Sequence, residues 1–108
     1  MSTPAVIAVV TTTDQQDAAR HMARTLVERG LAACAQITPI ESFYRWEGAL
    51  QQANEYRVLF KTTAERHAEV EAAIRELHGY ALPAIHAEAL GPVYPPYAAW
   101  VAENSAGG

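Results

Sequence analysis

Apolar and polar positions along the chain change period several times, and each change marks an element. Ala5-Val6-Ile7-Ala8-Val9-Val10-Thr11 is apolar at both parities and rich in β-branched residues. Such a run predicts a central strand, with neighbours on both edges or cover on both faces. Thr13 stands three residues before Gln16, the spacing of a capping box, and Ala19, Met22, Ala23, Leu26 and Val27 then recur at helical spacing up to Gly30. This predicts a helix of about four turns with a left-handed cap. From Ala32 the pattern turns strand-like through Cys34, Ile37, Ile40, Phe43, Tyr44 and Trp46, with Pro39 inside it. A proline there removes a ladder donor, so this long strand carries a bulge or lies at an edge. Glu47-Gly48 opens a polar reversal expected to run to about Asn54, and Tyr56, Val58, Phe60 and Thr62 alternate on the returning strand. Thr63 is placed to cap a second helix, striped by Val70, Ala73, Ile74 and Leu77 and ended by Gly79 and Pro83. Ala84–Leu90 reads as a last strand, and Pro95-Pro96 opens a short helix with Tyr97, Trp100 and Val101 on its apolar stripe.

The order strand, helix, strand, strand, helix, strand is the split βαβ plan of an α+β fold, with both helices on one face of an antiparallel sheet and a long central hairpin. Residues 1–108 are expected to form a single domain, with 103–108 a frayed tail. One helical layer leaves the other sheet face bare. Because both parities of the hairpin carry apolar residues, including Tyr44, Trp46, Leu59 and Phe60, burial against further copies of the chain is predicted.

Composition narrows the function. Half of the 108 residues are hydrophobic and 19% are charged, as in an ordinary globular protein. Lys and Arg total 8 against 12 for Asp and Glu, a net charge of -4 without like-charge runs, which disfavours nucleic acid and anionic membranes as partners. The longest apolar run, Ala5–Val10, is far short of the ~18 residues of a membrane span, and Met1-Ser2-Thr3-Pro4 lacks a basic leader region. The one cysteine, Cys34, forms no internal disulfide, so a reducing cytoplasm is the expected compartment. No nucleophile elbow, HExxH, Walker loop or dinucleotide fingerprint is present, and the chain is read as a non-enzyme.

Leu31-Ala32-Ala33-Cys34, Tyr44-Arg45-Trp46-Glu47-Gly48, Lys61-Thr62-Thr63, His78-Gly79-Tyr80 with Pro83, and Tyr97 with Trp100 follow one another in an order that resembles the CutA divalent-cation tolerance proteins. The resemblance implies a ferredoxin-like subunit in a trimer similar in architecture to the PII signalling proteins, concerned with tolerance of copper and other divalent cations. Copper or zinc is then the implied ligand, with no metal needed for folding. Within that family His78 is the candidate imidazole ligand, and Cys34 the candidate thiolate. Each has a plainer reading, His78 as a helix-terminal residue facing the last carbonyls and Cys34 as a small buried hydrophobe. Some relatives carry a cysteine and a second histidine at positions that here look like Thr12 and Leu77, which removes soft donors from a site built within one chain.

The second reading is a ligand cleft between copies, with Tyr44, Arg45, Trp46, Glu47, Lys61 and Tyr80, beside His78, as its candidate walls. Aromatic residues with Lys, Arg and His suit a small anionic or zwitterionic molecule. The same residues could serve only as interface packing. Ala84 stands where the family usually has a Glu, and Gly79 where it has a proline. His86 and Glu88 share one face of the last strand, an arrangement that could co-ligate a cation but is commoner as a solvent-exposed pair.

Overall fold

The β-branched run folds as predicted into strand β1 (Val6–Thr13), which lies inside the sheet because it is apolar on both faces and pairs on both edges. In the computed structural model, which describes residues 3–107, it is followed by helix α1 (Gln16–Glu28), strands β2 (Cys34–Trp46) and β3 (Ala49–Thr63), and a 3-10 turn (Ala64–Arg66). Helix α2 (His67–Leu77), strand β4 (Ile85–Ala89) and helix α3 (Pro95–Asn104) complete the order. The sheet runs β2-β3-β1-β4 with every neighbour antiparallel. It is the α+β split βαβ arrangement with three helices.

Alternation divides the sheet into two faces. Val9, Val58 and Phe60 point to one, where they are buried with Met22 and Leu26 of α1 and Val70 and Ile74 of α2. Val6 points to the other, where Ala98 and Val101 of α3 close a smaller apolar cluster with Ala33. α3 therefore covers one end of the face that α1 and α2 leave open. Gly30, at φ 69, supplies the left-handed residue that lets the chain leave α1, and the Leu31 amide closes onto the Leu26 carbonyl at 3.0 Å.

Three sequence expectations are corrected. The capping box at Thr13 does not form: Thr13 is the last residue of β1, paired with Tyr56, and Gln15 precedes α1 without a side-chain cap. The polar reversal is not a loop to Asn54 but a two-residue turn. Glu47 (φ 52) and Gly48 (φ 78) both take the left-handed conformation that matches strand twist in tight hairpins, so Ala49–Asn54 is already strand. Finally, the tail is held rather than frayed through Gly107. Asn104 is helical, Ser105 is buried, Arg66 donates from Nε to the Ser105 carbonyl at 2.9 Å and from Nη2 to the Ala106 carbonyl, and the Gly107 amide donates to the Gly30 carbonyl at 2.9 Å. Of the expected frayed segment, Gly108 lies outside the described residues. Pro39 sits on the edge strand β2 in an unbroken register opposite Tyr56, the edge alternative and not the bulge.

Phe60 is fully buried where α1 and α2 meet the sheet. Phe60→Ala is expected to cost about 3–5 kcal/mol by loss of transfer energy and an unfilled cavity, measured by urea unfolding.

Candidate functional site

The site follows from a mismatch of strand lengths. β1 pairs with β3 only from Tyr56 to Thr63, whereas β2 pairs with β3 from Ala49 through Lys61, so the hairpin projects past the end of β1. The chain extends 51 Å along its long axis against 26 and 21 Å across. The segment from His78 to Ala84, between α2 and β4, lies beside the base of this projection.

His78 fixes that segment. It ends α2 in an extended conformation, its amide still donating to the Ile74 carbonyl at 2.8 Å. Nε2 lies 2.7 Å from the Thr12 carbonyl oxygen, which can only accept, and Nδ1 lies 3.0 Å from the Tyr80 amide, which can only donate. The imidazole is thus neutral with its proton on Nε2, and both ring nitrogens are engaged. The ring also packs at a tilt against Tyr80, with centroids 4.8 Å apart. Tyr80 in turn donates its phenol hydrogen to Glu55 Oε2 at 2.7 Å. Burial pushes the Tyr80 phenol well above the ordinary tyrosine range, helped by the hydrogen bond to Glu55 and by the charges of Glu55 and Asp14.

A cleft of about 720 Å³ opens between hairpin and loop, walled by Phe43, Tyr44, Trp46, Tyr80 and Leu82, with Glu55 among its lining residues. Of the residues expected in a cleft between copies, Tyr44, Trp46 and Tyr80 line this one within a single chain. Arg45 and Glu47 lie at the hairpin tip outside the lining. Lys61 is six residues from Glu55 along β3, about 20 Å away, and belongs to the opposite end of the molecule. Within this single-chain cleft the charged lining residue is Glu55. This residue was missed because Asn54-Glu55 reads as the end of a polar loop. The Glu-Gly pair at 47–48 was the signal that would have placed it on a strand.

At the far end, Cys34 pairs across the ladder with Lys61, its Sγ lies 3.8 Å from the Tyr97 hydroxyl, and Lys61 Nζ lies 5.5 Å from the Tyr97 ring centroid. An ammonium beside the thiol opposes a bound cation. Within one chain Cys34 and His78 are therefore at separate ends. His86 and Glu88 do meet, at 2.9 Å, but Arg57 shares the same carboxylate oxygen at 3.2 Å. Among the described residues no group of three or more His, Cys, Asp or Glu side chains is placed to hold a metal ion. The donor set of one chain does not fit a resident metal.

Fold and site together define a small α+β protein with a projecting aromatic hairpin and a clefted base, a class represented among solved structures. The CutA of Synechococcus elongatus superposes with a TM-score of 0.91 at 33% identity, covering 97% of this chain and 94% of that one. A protein of Archaeoglobus fulgidus described as a periplasmic divalent cation tolerance protein CutA gives 0.90 at 32% identity, covering 93% and 98%. In sequence, the divalent-cation tolerance protein CutA of Thermus thermophilus is 35% identical over 98 residues, 90% of this chain and 95% of that protein. The pattern describing the CutA1 divalent ion tolerance proteins matches residues 7–104, and the chain belongs to that family.

His78→Ala is expected to leave the Thr12 carbonyl and the Tyr80 amide without their partners, at about 1–3 kcal/mol by denaturant unfolding. Replacing Tyr80 by Phe tests the phenol. A raised value means that the folded chain holds this proton more tightly than the unfolded one. The stability it contributes is therefore whole below the ordinary value of 10.0 and lost as pH climbs toward the raised value. The gap in melting temperature between the parent chain and Tyr80→Phe should hold steady up to about pH 10 and narrow above it.

Proposed function

We propose that this protein serves divalent-cation tolerance as a homotrimer, with direct cation contact weak and shared between copies rather than held within one chain. Membership of the CutA1 divalent ion tolerance family over residues 7–104 carries the reading. The relatives are named for tolerance and not for a reaction, in keeping with a non-enzymatic role. Assembly is supported by the apolar surface of the hairpin and its neighbouring loop, where Phe43 is 60% exposed, Leu50 75% and Leu82 70%. So large an apolar surface on a projecting ribbon favours a covering partner, and a second copy carries the matching surface.

Of the two donors expected from the sequence, His78 is the better. A cation at its Nδ1 asks only that the Tyr80 amide give way, whereas one at Cys34 meets the Lys61 ammonium. That competition with an existing hydrogen bond is the reason to expect weak affinity for copper or zinc. We read the compartment as the cytoplasm from the single cysteine. The A. fulgidus neighbour is described as periplasmic, so the compartment does not follow from the fold. Among the described residues no helix is long and apolar enough to cross a membrane.

Calorimetric titration with Cu(II) and Zn(II), beside His78→Ala and Cys34→Ser, tests the cation reading. Micromolar or weaker binding that His78→Ala removes is expected; tight binding that neither substitution alters would overturn it. Trp46→Ala tests assembly. Truncating an aromatic at a buried interface should weaken the trimer by about 2–4 kcal/mol, read as dissociation at higher concentration in sedimentation equilibrium.

A further inference from the structure

Helices α1 and α2 cover one face of the sheet, and strand register decides which charges the open face carries. Val58 and Phe60 of β3 point into the core, so Glu55, Arg57, Leu59 and Lys61 alternate to the open face, where His86 and Glu88 of β4 join them. Arg57 and His86 both reach Glu88, at 3.2 and 2.9 Å, so these three groups answer one another. Two charges are left over. Glu55 is 6% exposed, its Oε2 accepts from the Tyr80 hydroxyl at 2.7 Å, and among the described residues it forms no ion pair. Lys61 forms none among them either, its Nζ lying 5.5 Å from the Tyr97 ring centroid. A buried carboxylate satisfied by one phenol is costly unless something positive meets it. The two residues are about 20 Å apart along one strand and cannot meet within a chain.

We propose that Glu55 of one copy pairs with Lys61 of the next where the open sheet faces meet, so that the buried carboxylate gains its counter-charge only in the assembly. The other cations are committed elsewhere. Arg20, Arg24 and Arg75 are exposed on the helical layer, Arg29 and Arg66 are paired with Glu76 and Glu69, and Arg45, across from Leu50, alternates to the opposite face of the ribbon. Leu59 stays half-buried next to Lys61 on the open face, apolar area that a second copy can cover. A contact joining one end of a copy to the other end of its neighbour is heterologous, and one such contact per copy closes a ring, as a trimer requires. The inference rests on the homotrimer reading and adds to it the contact that sets the register of one copy on the next.

Sedimentation equilibrium across a urea series gives the assembly constant of the parent protein, Glu55→Gln, Lys61→Gln and the double variant. Each single substitution should weaken assembly at least about tenfold per interface, and the double variant should be no weaker than the weaker single one, because the second change removes a charge already left without a partner. Losses that multiply in the double variant overturn the proposal. An oligomeric parent whose assembly neither single substitution alters overturns the pairing and leaves the homotrimer reading standing, whereas a monomeric parent overturns both. Should Glu55→Gln fail to fold, zero-length carbodiimide coupling of the parent decides. An amide between Glu55 and Lys61, found by mass spectrometry in chains of doubled mass, is expected, since the distance within a chain forbids it. An oligomer that yields no such amide overturns the proposal.

Discussion

The rest of this structure depends on the unequal lengths of its strands. β3 keeps its hydrogen bonds with β2 well beyond the point at which β1 stops, so Ala49–Glu55 has a partner on one side only. A two-stranded ribbon is marginal in water by itself, and whatever lies beside it must supply burial. At its base that support is internal, from the loop that His78 and Tyr80 fasten to Thr12 and Glu55. Toward its tip Phe43, Trp46 and Leu50 stay exposed among the described residues. The same mismatch thus creates the cleft and the surface on which assembly is proposed.

Most of the fold was legible because most elements here have a strong period. β1 is apolar at both parities and lies inside the sheet; α1 and α2 each bury one stripe, Ala19, Met22 and Leu26 in one and Val70, Ala73 and Ile74 in the other. Legibility fails where local chemistry competes with pairing. Gln51, Gln52 and Asn54 are polar because their stretch of ribbon faces water on much of its surface, and polarity alone reads as a loop. Thr13 has the composition of a helix cap but is claimed by the ladder opposite Tyr56. At the C-terminal end, small residues suggested fraying, yet Arg66, distant in sequence, reaches the carbonyls of Ser105 and Ala106.

The candidate site was legible in its aromatic half and not in its charged half. Tyr44, Trp46 and Tyr80 line one groove within the chain, while Lys61 is carried to the other end by its pairing with Cys34. Spacing along a strand fixes the face a residue takes but not which of two distant ends it serves; register does that. His78 shows a related effect. A histidine at a helix end invites a ligand role, and only the positions of Thr12 and Tyr80 reveal that both of its nitrogens already have partners.

The fastening of the tail has a consequence for how sequence can drift there. Arg66 and Gly30 touch residues 105–107 through main-chain atoms alone, which every amino acid possesses. At Ala106 selection therefore acts on path and reach, whereas Ser105, buried with its hydroxyl donating to the Val101 carbonyl at 2.6 Å, and Gly107, at φ 86, are also held to their identity. Ala106 can be exchanged freely, while an insertion between Asn104 and Gly107 would slip each carbonyl out of register with the guanidinium. Related chains should vary at the position of Ala106 and agree in the spacing of the segment.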